Sequence, residues 1–199
     1  MPAAIAITTM TAESPAAAPT GLQPEHLAWF SPTFPIGSFA FSHGLEWAIE
    51  AGEVATADDL RHWLRDLVTD GGFGNDALLI SVSQRAALAA TGGDITAVNE
   101  LALALAGSAG RRLETVSQGN AFRAMIVAAW GGDFAALPTG DIAYPVAVGI
   151  ATAGRGLGVE PSIASYLHSA VGALVSIAVR LGTVTQPQGQ LIIAALLPV

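Results

Sequence analysis

Four histidines carry most of the acid–base and metal-binding capacity of this sequence, and their spacing disperses it. His26, His43, His62 and His168 include no pair at the i, i+4 spacing that sets two imidazoles on one helix face for zinc. His43 and Glu46 lie three apart on a segment expected to be helical, so they could share a ligand face. A single pair of this kind reads more readily as a cap or a buried polar contact. Ser42-His43 lacks the strand–turn–helix setting of a nucleophile elbow. Gly154-Arg155-Gly156-Leu157-Gly158 has a nucleotide-loop look but follows no strand, which makes it a helix–helix connection. The 199 residues contain no cysteine, and every basic residue is an arginine. Thiolate nucleophiles, iron–sulfur and cysteine–zinc sites, lysine Schiff bases and Walker-type phosphate loops are therefore excluded. Spacing alone points to an interaction protein. The alternative is a helical enzyme using His43, Glu46 and His168 as acid–base groups.

The elements that must position these residues are marked by caps and breakers. Pro24 opens a short turn through Phe30, and the proline-rich run from Ser31 to Gly37 cannot be helical. A helix is expected from about Phe41 to Ala51, stopping at Gly52. Thr56, with Asp58 and Asp59 behind it, reads as a capped start. Leu60, Trp63, Leu64, Leu67 and Val68 then recur at three and four, an amphipathic stripe that Gly71-Gly72 ends. Further helices are expected from Asp76 to about Ala90, from Asp94 to Ala106, and from Ser108 to Trp130, where Gly131-Gly132 breaks the last. Pro145–Ala153, Pro161–Leu181 and Gln188–Leu197 follow, the first two with proline at the start. No stretch alternates in the manner of a strand. The fold class is all-α: one helical bundle of about eight to ten helices over residues 22–199.

Composition narrows the class further. Half the chain is hydrophobic (52%) and only 12% is charged, which excludes an intrinsically disordered protein. The net charge of −8 disfavours nucleic acid as a partner. Residues 1–100 hold 12 acids and 3 arginines against 4 and 5 in the remainder, so the first half should present the acidic surface. The longest uncharged apolar run of the second half, near Ser169–Val179, is about half the ~20 residues of a membrane span. Residues 1–21, rich in Ala, Thr and Pro and free of Lys and Arg, read as a disordered leader rather than a signal peptide. A cytoplasmic protein is expected. With few charges to cover so much apolar surface, a homodimer is expected as well.

Two segments stand out. Phe34-Pro35-Ile36-Gly37-Ser38-Phe39-Ala40-Phe41-Ser42-His43-Gly44-Leu45-Glu46 combines a proline turn, aromatics and a polar trio. In Ser162–Leu181, the residues Ser165, Ser169, Gly172, Ser176 and Arg180 form one face of small side chains ending in a charge. That face suits close approach by another helix, and Arg180 either meets a partner acid or pairs internally. Arg180 and the Gln186 to Gln190 segment are expected to share one polar patch.

These segments resemble the UreF family of urease accessory proteins. The similarity starts in Leu27–Glu46 and continues through Ala51-Gly52-Glu53-Val54, Leu60 with Trp63-Leu64, Leu113-Glu114-Thr115, Gln118-Gly119 and Ala121-Phe122. Later blocks are Pro145-Val146-Ala147 with Gly149, Tyr166-Leu167-His168, Leu174-Val175-Ser176, Val179-Arg180-Leu181, and Gln186 with Gly189-Gln190. There are departures. Phe41 stands where many members have His or Tyr, Ala173 where Asn is usual, and Thr185-Gln186-Pro187-Gln188 replaces a Gly-Gln-Thr-Asp-like run. The chain ends at Val199, where such proteins usually continue with a charged and aromatic tail that helps engage UreD/UreH, so a truncated or divergent member is expected. The resemblance implies a non-enzymatic, all-helical and commonly dimeric scaffold without a cofactor or metal of its own. It would link UreD/UreH on apo-urease to the GTPase UreG for nickel insertion, with nickel and GTP belonging to those partners. Partner contacts are placed on Ser42, His43, Glu46, Tyr166, His168, Ser176, Arg180, Gln186 and Gln190.

Overall fold

A computed structural model describes residues 21–89, 93–131, 138 and 140–197. The expected leader falls on residues 1–20, outside the described residues, apart from Gly21. Among the described residues there are nine α-helices and no strand: α1 Pro24–Trp29, α2 Leu45–Glu50, α3 Ala57–Thr69, α4 Gly72–Leu88, α5 Ile95–Ala104, α6 Ala109–Met125, α7 Tyr144–Gly154, α8 Val159–Arg180 and α9 Gln186–Leu196. A 3-10 turn covers Ser38–Ala40, and a π-helical turn, Ile126–Trp130, prolongs α6. The all-α reading holds.

Local chemistry sets the starts. Thr56 accepts the Asp59 amide while the Asp59 carboxylate accepts the Thr56 amide, a reciprocal capping box. Asp94, Ser108 and Thr185 cap α5, α6 and α9 through the amides of Ala97, Arg111 and Gln188. The start of α7 is served from outside: Asn99 of α5 accepts the Ala143 amide at 2.9 Å, and Thr115 of α6 accepts the Tyr144 amide at 3.1 Å. Without them the buried amides at this helix end would lack partners.

Helix α7 is the axis of the bundle. Every residue from Tyr144 to Ala153 is buried, as expected of a helix apolar all round. Helix α4 lies along it so closely that a Cβ on Gly149 would stand 2.6 Å from the Ile80 carbonyl oxygen. One hydrophobic core surrounds α7 and is rich in aromatic edge contacts: Trp29 on Phe122, Phe122 on Tyr144, Phe30 on Tyr166. A second core gathers Leu45, Leu60, Leu64, Phe73, Leu174, Val175 and Ile192 from α2, α3, the start of α4, the end of α8, and α9. Helices α4 and α8 run through both.

Three expectations need correction. The helix expected from Phe41 begins only at Leu45, because His43 and Gly44 have φ of +51° and +80° and break the spiral. The Gly71-Gly72 break is shorter than expected, since Gly72 already belongs to α4. Helix α8 does reach membrane-spanning length, with 22 residues and a mean hydropathy of 1.6 over its most apolar window. Here its apolar residues, including Val171, Leu174, Val175 and Ile177, are spent on the second core.

Candidate functional site

Between the two cores lies a layer of ionised and polar side chains. Helix α4 supplies Asp76, α6 supplies Arg111, Glu114 and Gln118, and α8 supplies Tyr166. The loop before α2 supplies His43. Asp76, Glu114, Gln118 and Tyr166 are each at most 5% exposed. The Arg111 guanidinium donates to Asp76 Oδ2 and, at 3.1 Å, to Glu114 Oε2. The Tyr166 hydroxyl donates to the same Asp76 oxygen. Glu114 Oε1 accepts from His43 Nε2 at 2.8 Å and from Gln118 Nε2 at 3.2 Å. Because a carboxylate can only accept, His43 carries a proton on Nε2. Its ring also stands edge-on to Phe73, with centroids 4.5 Å apart.

The electrostatics follow from this crowding. Burial pushes the Asp76 carboxyl above its ordinary value, against the opposing pull of Arg111 and the Tyr166 hydroxyl. Burial alone would raise Glu114 too, but the His43 hydrogen bond and the Arg111 charge outweigh it and hold that carboxyl low. Despite its own burial, Arg111 is held more firmly protonated by Asp76, Tyr166 and Glu114. The Tyr166 hydroxyl is raised by burial and by Asp76. Arg111, Tyr166, His43 and Gln118 each donate to one of the two carboxylates, so Asp76 and Glu114 are held by charge and hydrogen bonds together. Among the described residues, no group of three or more His, Asp or Glu is placed to hold a metal ion.

His43, Asp76, Arg111 and Glu114 form the floor of a cleft of about 760 Å³, while Gln118 and Tyr166 line a smaller pocket that shares Phe41, His43 and Glu114 with it. Its walls come from Phe41–Gly44, the end of α3, the start of α4, the end of α5 and the start of α6, with aliphatic Leu67, Leu79, Leu105 and Leu113 among them. Part of the segments singled out by motif meets here: Phe41–Gly44 and Leu113–Thr115 line the cleft, and Tyr166 of α8 reaches its floor through the hydrogen bond to Asp76.

Of the residues expected at the site, Ser42 and His43 line the cleft, and Tyr166 joins its floor through the hydrogen bond to Asp76. His43 and Glu46 share no ligand face, since His43 is not helical and Glu46 is exposed on α2. His168 is exposed and lines a separate apolar groove with Ile163, Leu167 and Leu196. The grouping of His43, Glu46 and His168 as acid–base residues therefore fails geometrically. Ser176, Arg180, Gln186 and Gln190 are all exposed on α8 and α9, and no ion pair engages Arg180 among the described residues. Sequence reasoning misses Asp76 and Arg111. Asp76 lies three residues after Phe73 and four before Ile80, so an acid on an otherwise buried stripe is the available signal.

A buried histidine, His26, fastens α1 to α8. The Gln23 amide donates to His26 Nδ1 at 2.9 Å, His26 Nε2 donates to Ser162 Oγ at 3.0 Å, and Ser162 donates to the Gly158 carbonyl at 2.6 Å. Burial holds the His26 pKa below the ordinary 6.5. The folded chain then binds fewer protons than the unfolded chain just below pH 6.5, so this contribution is complete above that pH and lost as pH falls through the folded value. Denaturant unfolding between pH 7.5 and 5 should show that loss, and His26→Gln should flatten the profile. An unchanged slope in the variant would remove His26 as its source.

Comparison with known proteins supplies the family. A model of the UreF family matches residues 54–197. The chain is 43% identical over 176 residues to the urease accessory protein UreF of Methylorubrum populi, covering 86% of this chain and 79% of that protein. It is 44% identical over 177 residues to the UreF of Methylobacterium radiotolerans, covering 86% and 77% of the two chains. Against the UreF of Xanthobacter autotrophicus it is 44% identical over 191 residues, covering 94% and 78%. With the family model matching residues 54–197 and relatives 43–44% identical over most of its length, the chain belongs to the UreF family.

Proposed function

We propose that this chain is a non-enzymatic scaffold of urease maturation, linking UreD/UreH on apo-urease to the GTPase UreG during nickel insertion. Its place in urease maturation is supported by the family match and by relatives named as urease accessory proteins. The same reading places it in the cytoplasm, leaves nickel and GTP to the partners, and assigns the chain no cofactor. The exposed aliphatics Leu78, Val82, Leu101, Leu105 and Leu113 of α4, α5 and α6 suit a symmetric homodimer. An enzymatic reading has no support in the site, where His43 is committed to Glu114 and His168 lies on another groove.

The observation that carries partner docking is the exposure of Arg180 at the carboxyl end of α8, close in sequence to the exposed Gln186 and Gln190. An arginine there is favoured by the helix dipole and is presented to solvent rather than buried. Arg180→Ala should leave the melting temperature within about a degree of the parent, since surface changes are near neutral. Affinity for UreG or UreD/UreH should fall by on the order of 2 kcal/mol, about thirtyfold, if Arg180 is an interface hot spot. Pull-down and calorimetry beside a melting curve decide the matter. Unchanged binding to both partners with an intact fold would refute the docking assignment, as would a large drop in melting temperature.

A further inference from the structure

We propose that Ser38–Ser42 is a hinged flap whose opening joins the outer cleft to a smaller inner pocket beneath it. The segment hangs between two buried anchors, Phe34 and Leu45, and no residue from Pro35 to Gly44 is itself buried. Its backbone hydrogen bonds are all local: Ile36 to Phe34, Ala40 to Gly37, Phe41 to Ser38 and Leu45 to Ser42. Among the described residues, the one side-chain hydrogen bond from Gly37–Gly44 to the body of the protein is His43 to Glu114. Positive φ values bracket the stretch, at Gly37 (+74°) on one side and at His43 (+51°) and Gly44 (+80°) on the other. Glycine takes that conformation freely, whereas histidine does so at a cost, so His43 is held by what its ring touches.

The flap separates two spaces. Phe41 and His43 line both the cleft and an inner pocket of about 40 Å³ that is walled by Gln118, Tyr144, Tyr166, Ser169 and Ala173. Few buried contacts and a single polar fastening are the marks of an element that opens at low free energy. Swinging it out would merge the two spaces and uncover Gln118 of α6 with Tyr166, Ser169 and Ala173 of α8. Exposed Phe39, near the flap's tip, is the side chain by which a docking surface would grip it. The inference concerns the isolated chain and stands or falls independently of which partner uses the cleft.

The cysteine-free sequence allows a direct test with single reporters. Ala173→Cys lies under the flap, Ser176→Cys on the exposed side of the same helix, and Ser83→Cys in the core. With the flap intact, N-ethylmaleimide should modify position 173 at least tenfold more slowly than position 176. Adding Glu114→Gln, which weakens the fastening, should speed position 173 about tenfold and leave position 83 protected. His43→Gly, which unfastens the flap while relieving its backbone, should do the same and guards against misfolding of the first variant. Equal rates at 173 and 176 in the parent would overturn the proposal. So would acceleration in neither variant, or a parallel rise at position 83 that reports general loosening.

Discussion

Gly119→Ala is expected to destabilise the fold by about 3 kcal/mol or more, a large effect for one added methyl group. A Cβ at this position would lie 2.1 Å from the Ile142 carbonyl oxygen, 2.8 Å from the Tyr144 nitrogen and 2.9 Å from the Ala143 carbonyl carbon. All three are backbone atoms, so no rotamer change relieves the overlap. The Ala143–Tyr144 segment is also fixed by Asn99 and Thr115, which would have to move with it. Relief would require α6 to part from the first turn of α7, where Phe122 and Tyr144 close the aromatic core. Gly172→Ala is the matched control. That glycine is interior to α8 with nothing within 4 Å of its Cβ position. Alanine there should be neutral or stabilising by about 0.5–1 kcal/mol through helix propensity. Urea unfolding of the two variants gives the comparison. Equal stabilities would mean that α6 and α7 do not meet backbone to backbone.

The contrast between those glycines explains how far the sequence can be read. Caps are legible because they are local: Thr56, Asp94, Ser108 and Thr185 each satisfy an amide three residues on. Glycines are less so, because the same residue marks a stop, a left-handed turn or a close approach. Gly71 reads as a stop, yet a Cβ there would stand 2.8 Å from the Leu67 Cα, so it lets α4 leave immediately against α3. Gly44 reads as part of a helix and instead turns the chain left-handed. The site shows the same limit. His43 is identifiable, but with Glu46 as its neighbour in sequence; its actual partner, Glu114, comes from α6, 71 positions further on. Such pairing depends on how α4, α6 and α8 pack, and no local pattern encodes it.

Arg111→Met is expected to destabilise the fold by about 3–5 kcal/mol near pH 7, while a triple replacement of the buried network should restore most of that loss. The single change leaves Asp76, only 4% exposed, without its cation and Glu114 without one of its donors. Asp76 is already raised by burial, and losing Arg111 must raise it further. A carboxyl with a folded pKa above its unfolded value binds protons preferentially in the folded state. Its contribution therefore improves as pH falls from 7 toward the unfolded range near 4, and the deficit of Arg111→Met relative to the parent should shrink. The combination Asp76→Leu, Arg111→Met and Tyr166→Phe removes the stranded Asp76 charge and the orphaned hydroxyl together, and leaves Glu114 its His43 and Gln118 donors. Apolar replacements of buried ion networks are commonly neutral or stabilising, so this variant should lie within about 1 kcal/mol of the parent. Its cleft, however, would have lost the ionic floor that holds Glu114 and, through it, His43. If the cluster serves the site rather than the fold, the triple variant should melt like the parent and fail to support urease activation. Retention of both properties would show that the network is dispensable to function. A triple variant as unstable as Arg111→Met would show instead that the fold itself depends on these charges.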